Sequence, residues 1–243
     1  MIINHNIAAL NTHRQMGSAQ SAQMENMGKL SSGLRINSAK DDAAGLSISE
    51  KMRGQIRGLE QGSRNAQDAI SMIQTAEGAL SETHDILQRM RELTVQAGND
   101  SYDADDRTVI QVEIDDLAGE ITRISETTQF NSQNLLDASG GAGENGTFSF
   151  QIGANNAQQL TVDFAAMDAT TLVVDTLDVS TSALATASLD TLDAAIKSVS
   201  DERSQLGSKQ NRFEHTINNL NTSAENLTAA ESRIRDVDYA EAA

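Results

Sequence analysis

Histidine and aspartate are the residue types through which this sequence could perform metal or acid–base chemistry. The four histidines are scattered along the chain, as His5, His13, His84 and His215. They form no HExxH motif and no pair with metal-ligand spacing, and a lone histidine is far more often a surface or packing residue than a ligand. The sequence therefore predicts no metal site among its histidines.

The aspartates of residues 100–106 superficially resemble a calcium loop. A loop that begins at Asp103 would need Asp or Asn and then Gly at the positions held by Arg107 and Thr108. Helix capping by the aspartates is the better interpretation. The Gly-rich GAGENG segment lacks the Lys-Ser/Thr and the helix of a phosphate loop. No catalytic constellation, cofactor site or enzyme activity is predicted.

Composition and charge argue against further classes of function. The 243 residues carry a net charge of −17, which argues against nucleic-acid or anionic-membrane binding, because both need a basic surface. The first 64 residues carry +3, so the remainder carries −20. No apolar run approaches a membrane span of ~20 residues, and the first ten residues do not resemble a cleaved signal. Export would therefore need another route.

Residues 189–234 contain the strongest pattern in the chain. Alternating steps of three and four place apolar residues at eleven of fourteen positions, where about five would be apolar by chance in a chain that is 38% hydrophobic. Such a heptad seam is typical of a long helix packed against other helices, here reaching about 70 Å. Its positions are Leu189, Leu192, Ile196, Val199, Arg203, Leu206, Gln210, Phe213, Ile217, Leu220, Ala224, Leu227, Glu231 and Ile234.

Three further helices are predicted as partners. Residues 43–97 repeat the same alternation, and residues 104–128 keep isoleucines and leucines in register, so both can pack beside the helix of about 188–236. Residues 1–34 form a weaker helix diluted by Gly17 and Gly28, which we expect to order fully only against a partner. Gly33 and Asn37 mark a connecting loop over residues 31–42.

The helical period gives way to alternation after residue 139. Residues 148–152 and 160–164 alternate apolar and polar side chains, which predicts a β-hairpin within an insert of about 139–180. Residues 172–179 are predicted to form another strand. Residues 181–188 are predicted to link this region to the next helix. The predicted fold is mainly α, an elongated antiparallel coiled-coil or helical-bundle rod with a small β-hairpin region. Residues 1–42 form one predicted domain and residues 43–243 the other.

Several long motifs resemble one family. They are IINHNIAALNTHRQ (2–15), LSSGLRINSAKDDAAGLSISEKMRGQIRGL (30–59), NAQDAISMIQTAEGAL (65–80), LQRMRELTVQA (87–97), TQFNSQNLL (128–136) and NNLNTSAENLTAAESRIRDVDYA (218–240). On these motifs the sequence resembles bacterial flagellin over nearly its whole length. The resemblance implies a structural subunit of the extracellular flagellar filament that forms homo-oligomers, with its terminal helices paired into an inner α-helical shell.

The same resemblance implies particular partners. It implies export through the flagellar type III apparatus with an export chaperone, and recognition by the vertebrate Toll-like receptor that senses flagellin. The family's receptor-contact positions fall on Gln88, Arg89, Leu93, Gln96, Ile110 and Glu113. Packing between subunits in the filament is the alternative role for these six residues, and one surface can serve both.

Two departures from the family pattern leave alternatives open. Residues 138–188 hold only a hairpin region, so we expect a filament without large outer domains. The sequence stops at Ala243, where the family continues into an apolar helix, and we expect a fragment lacking that helix. A soluble truncated flagellin that acts mainly as a receptor or antibody ligand is therefore one alternative, and a hook-filament junction protein is another.

Overall fold

The structure of the protein, a computed structural model, describes residues 6–141, 143 and 145–242. Interpretations that fall on residues 1–5, among them His5, on Ala142 and Glu144 of the Gly-rich segment, and on Ala243 lie outside the described residues. The described elements are α1 (Ile7–Ser32), α2 (Ala43–Ala97), α3 (Ala104–Thr127), β1 (Gln129–Phe130), β2 (Gln133–Asn134), β3 (Thr147–Gln151), β4 (Gln159–Asp163), α4 (Ser182–Arg235) and α5 (Tyr239–Ala242). The predicted class, mainly α with a small β-hairpin region, is confirmed.

Local capping chemistry fixes where the helices begin and end. Asn6 accepts a hydrogen bond from the backbone N–H of Ala9, and α1 ends at Gly33, whose φ of 71° suits a residue without a side chain. Asp42 accepts from the backbone of Ala44 and Gly45 at the start of α2. Asp103 caps α3 by accepting from Asp106 at 2.9 Å, as the capping interpretation of the aspartates predicts.

Contacts divide the chain into two compact units, Met1–Glu60 with Asn221–Ala243, and Gln61–Leu220. The division at residue 42 that the sequence favours is a different grouping and stays a prediction. None of the described helices is long and apolar enough to cross a lipid bilayer.

The unit Gln61–Leu220 is a helical bundle. Arg91 pairs with Asp193 at 2.7 Å and Glu77 with Arg203 at 3.8 Å, so α2 and α4 run antiparallel here. The predicted seam is confirmed between Leu192 and Leu220, where every second seam position is buried, at Leu192, Val199, Leu206, Phe213 and Leu220. Isoleucines of α3 join the same core at positions 110, 114 and 121.

The predicted hairpin is confirmed as β3 and β4, which pair antiparallel with Phe148 opposite Val162. It packs on the helices of its unit through Phe150, whose ring meets Phe213 edge-on at 5.8 Å. Asn65 also donates to the carbonyl of Gln151 at 2.7 Å. A second hairpin, β1 with β2, turns at two residues of positive φ, Asn131 and Ser132, and was not predicted.

Two local predictions are wrong. Residues 172–179 form no strand: Leu172 and Val174 are buried, but Leu177 and Val179 are buried out of phase with them, because two exposed residues, Asp175 and Thr176, come between. Residues 182–188 belong to α4 rather than to a link, because Thr181 accepts from the backbone of Leu184 and starts the helix.

The unit built from both ends of the chain joins residues 30–36 to residues 233–239. The backbone N–H of Arg35 donates to the carbonyl of Arg235 at 2.7 Å, and that of Val237 donates to Gly33 at 3.0 Å. Arg235 in turn donates to Glu50 on α2 at 2.8 Å. In contrast to this paired region, α1 contains no buried residue.

Candidate functional site

The six residues assigned to recognition by the family resemblance lie on α2 and α3 within the unit Gln61–Leu220. Four of them are exposed, at Gln88, Arg89, Gln96 and Glu113. Leu93 and Ile110 are instead only 3% and 6% exposed, and both belong to the hydrophobic core of the bundle. The structure thus divides the set into a polar surface and two apolar residues beneath it.

Arg89 and Glu113 form the centre of the polar surface. Arg89 donates from Nε and Nη2 to Oε1 of Glu113 at 3.2 and 3.0 Å, which joins α2 to α3. Arg89 also donates from Nη1 to Glu92 at 3.2 Å. The Glu113 carboxylate, and after it that of Glu92, raises the pKa of the Arg89 guanidinium. The arginine is therefore held in one orientation by two carboxylates.

The two glutamines lie on either side of this centre along α2. The side-chain amide of Gln88 meets Nε2 of His84 at 2.7 Å, and that of Gln96 donates to the hydroxyl of Tyr102 at 3.0 Å. Each glutamine is thus bonded to a different neighbour rather than to the arginine. Arg89 and Gln96 lie on one side of α2, whereas Gln88 lies about 100° around the helix, near Asp193 of α4.

Three exposed valines on the same two helices add apolar surface that the sequence analysis did not identify. Val95 on α2 and Val109 and Val112 on α3 are all more than half exposed. Val109 and Val112 lie three residues apart and outside the seam of Ile110 and Ile114, so their positions could have been identified from the helical period. A surface that combines polar, charged and apolar groups is typical of a protein–protein interface.

A second exposed surface lies on α1. Its large apolar side chains are in solvent, at Ile7, Leu10, Met16, Met24 and Met27. Neither surface has the arrangement of a catalytic centre, and among the described residues no group of three His, Cys, Asp or Glu could hold a metal ion.

Comparison with known proteins identifies the family. A model of the bacterial flagellin N-terminal helical region matches residues 3–140, and a model of the bacterial flagellin C-terminal helical region matches residues 189–243. The flagellin of Bacillus subtilis (strain 168) is 53% identical over 269 residues, covering 99% of this chain and 88% of that protein. The flagellar filament 33 kDa core protein of Treponema phagedenis is 48% identical over 251 residues, with coverage of 99% and 88%.

Solved structures agree with this assignment. The crystal structure of Bacillus cereus flagellin is similar with a TM-score of 0.58 and 32% identity, covering 69% of this chain and 94% of that chain. A Vibrio parahaemolyticus structure described as a flagellar hook-associated protein has a TM-score of 0.64 and covers 81% and 98% of the two chains. Its identity of 12% shows a shared fold alone. The chain belongs to the bacterial flagellin family, the structural subunits of the extracellular flagellar filament.

Proposed function

We propose that this chain polymerises with copies of itself through the apolar face of α1. The observation that carries the proposal is that α1, a helix of 26 residues, buries none of them. Helices gain most of their stability from packing an apolar face, and α1 also contains Gly17 and Gly28, which weaken an isolated helix. A partner that covers this face would therefore stabilise the helix as well as the contact.

The partner that we propose is a second copy of the same chain. A relative that is 48% identical over nearly the whole chain is named a flagellar filament core protein, so subunits of this family meet one another in a polymer. Burying a single Leu, Ile or Met side chain contributes about 1.5–3 kcal/mol. Contributions of that size from several α1 residues are enough to hold subunits together at high local concentration.

The test compares two acidic substitutions on opposite sides of α1. Met24→Asp puts a carboxylate on the apolar face, whereas Asn26→Asp puts one about 160° away around the same helix. Both residues are exposed in the free chain, so neither change should alter its helicity. We expect Met24→Asp to raise the concentration needed for polymerisation at least about tenfold and Asn26→Asp to change it little.

Polymer is measured by sedimentation and electron microscopy of the pure chain at high concentration. Equal polymerisation of the two variants would exclude the apolar face of α1 as the contact. A wild-type chain that stays monomeric at every concentration would favour the alternative of a soluble receptor or antibody ligand.

We also propose that Gln88, Arg89, Gln96 and Glu113 are recognised by the Toll-like receptor that senses flagellin. The observation in favour is that Arg89 is exposed yet already oriented by Glu113 and Glu92, so a partner would meet it without the entropic cost of ordering a long side chain. Leu93 and Ile110, which are buried, would act by supporting the shape of this surface. Packing of subunits can use the same residues.

Arg89→Ala is the informative change for the receptor. We expect at least about tenfold weaker receptor signalling with unchanged helicity, because exposed arginines often dominate protein interfaces. Arg123→Ala is the matched control, since Arg123 is an exposed arginine of α3 that pairs with Glu120 on its own helix. Equal signalling by the two variants would remove Arg89 from the recognition surface.

We further propose that the chain leaves the cell through the flagellar type III export apparatus with the help of an export chaperone. Family membership supports this. In cells that lack the flagellar export gate, we expect the chain to remain inside. Its appearance in the medium of such cells would overturn this route.

A further inference from the structure

Methionine sulfur is distributed very unevenly in this protein. Among the residues that the structure describes, the exposed methionines all lie on α1, where Met16, Met24 and Met27 are 73, 62 and 62% exposed. In the unit Gln61–Leu220 the methionines are in the core, where Met72, Met90 and Met167 are 6, 0 and 6% exposed. Met52 is half-buried, and Met1 lies outside the described residues. One chain thus carries an accessible and an inaccessible set of thioethers.

We propose that Met16, Met24 and Met27 form an oxidation site at which peroxide or hypochlorous acid switches off polymerisation. The proposal rests on the proposed assembly through α1. Because the sequence contains no Cys and no Trp, methionine sulfur is its most readily oxidised side-chain group. Exposure then decides which methionines react first.

The local structure of α1 leaves these sulfur atoms open. Met16 and Met27 are each followed by a glycine, Gly17 and Gly28, which has no side chain to lie over the sulfur atom. Neither neighbour can therefore shield the thioether. Met24 and Met27 lie three residues apart and share one side of the helix, so two oxidised groups would stand side by side.

The reaction is a two-electron oxygen transfer. A sulfur lone pair attacks one oxygen of hydrogen peroxide, the O–O bond breaks as the S–O bond forms, and the departing hydroxide takes the proton of the new sulfur-bound hydroxyl and leaves as water. With hypochlorous acid the sulfur attacks chlorine and hydroxide leaves; water then attacks the sulfur, chloride leaves, and the two protons of that water are released, one of them to the hydroxide. The product, methionine sulfoxide, is polar and chiral, and it is reduced back by the A and B types of methionine sulfoxide reductase, one for each epimer.

The consequence for assembly follows from desolvation. A thioether packs in an apolar contact, but a sulfoxide oxygen would be buried there without a hydrogen-bond donor. We expect each sulfoxide to raise the concentration needed for polymerisation about tenfold. Once polymer has formed, the covered sulfur atoms would be protected, so the switch acts on free subunits.

The experiment treats the unassembled full-length chain with hydrogen peroxide and follows each methionine by peptide mass spectrometry. We expect Met16, Met24 and Met27 to be oxidised well before Met72, Met90 and Met167, which serve as internal standards. Sedimentation of the treated chain should show reduced polymer, and incubation with both reductases should restore it. The triple variant Met16→Leu, Met24→Leu and Met27→Leu keeps apolar side chains that peroxide does not oxidise, so the amount of polymer that it forms before treatment should not change after peroxide.

The possible failures are distinguishable. Equal oxidation of α1 and core methionines would overturn the site, and treated wild-type chain that polymerises normally would overturn the switch. Loss of polymer in the treated triple variant would place the damage elsewhere and also overturn it. If Met24→Asp polymerises normally, or if the untreated chain forms no polymer, the proposed contact through α1 is wrong. The proposed effect of oxidation on assembly is then wrong as well.

Discussion

Arg35 and Ile234 are joined by a hydrogen bond of 2.7 Å, from Nη2 of the arginine to the carbonyl oxygen, across 199 residues of chain. The same nitrogen lies 3.3 Å from the carbonyl of Arg233. The last carbonyls of α4 have no partners within their own helix, so the guanidinium satisfies them and adds a positive charge where the helix dipole is negative. Two distant segments are thereby fastened together.

We predict that Arg35→Ala loosens this junction. Because the side chain is exposed, we expect a cost of only about 1 kcal/mol. Hydrogen exchange should show it locally, as faster exchange at the amide of Val237, which donates to Gly33 beside the arginine. Lys40→Ala removes an exposed cation from the same loop and should leave that amide unchanged. Equal exchange in both variants would mean that backbone pairing alone holds the junction.

Phe213 should be the most sensitive position of the α4 seam. It is fully buried and meets Phe150 of β3 edge-on, so it connects the helices to the hairpin. We predict that Phe213→Ala lowers the free energy of unfolding by about 3–5 kcal/mol, because it leaves a cavity. The adjacent seam residue Ile217 is only half-buried, so Ile217→Ala should cost clearly less. Chemical denaturation followed by circular dichroism measures both.

Glu202 gives the bundle a predictable pH dependence. Its carboxylate is buried and accepts from the backbone N–H of Ala165 at 3.2 Å. Burial is the main cause that raises its pKa above the ordinary 4.5, and the charge of Asp163 raises it further. Lys209 lies 3.6 Å from Asp163 and offsets part of that charge.

The direction in which stability changes with pH follows from proton linkage. A group whose pKa is raised on folding contributes stability that is present below the unfolded value of about 4.5 and is lost as pH rises through the folded value. Glu202→Gln keeps an acceptor for Ala165 but does not titrate. We predict that the variant matches or exceeds the wild type in unfolding free energy at neutral pH and loses that advantage toward pH 4.5. Parallel pH curves for the two proteins would contradict this.

The helices could be predicted from the sequence because the patterns that specify them, heptad repeats and capping residues, are local or periodic. The seam of α4 is buried at every second position from Leu192 to Leu220, and Gly33 and Asp103 mark helix boundaries through their own backbone and capping chemistry. The β1–β2 hairpin was missed because Asn131-Ser132 is a weaker turn signal than the Asn-Gly pair that usually marks such turns.

The recognition surface stays a prediction, and the sequence could not tell which of its six residues are exposed. A family motif identifies positions but not their exposure, so Leu93 and Ile110 are grouped with Arg89 although both lie in the hydrophobic core. The pairing of Arg89 with Glu113 joins different helices and depends on how α2 and α3 pack. Such contacts are tertiary, and no local pattern in the sequence encodes them.

Residues 172–179 bond to a side chain of α3 rather than to a neighbouring strand. The side chain of Gln111 donates to the carbonyl of Leu177 and accepts from the N–H of Val179, both at 2.8 Å. The side-chain amide of Gln111 thus takes the place of a neighbouring strand, because it bonds the carbonyl of Leu177 and the N–H of Val179. The segment therefore pairs with none of the described β-strands.

We predict that Gln111→Ala lowers stability by about 1–3 kcal/mol, because it leaves these backbone groups without their partner. Hydrogen exchange should accelerate at the amide of Val179 and stay unchanged at Val162 in the β3–β4 hairpin. Asp115→Ala is the control, since Asp115 also accepts from Gln111 at 2.8 Å but does not contact Leu177 or Val179 through that bond. Protection of Val179 in Gln111→Ala would show that side-chain burial alone holds this segment against α3.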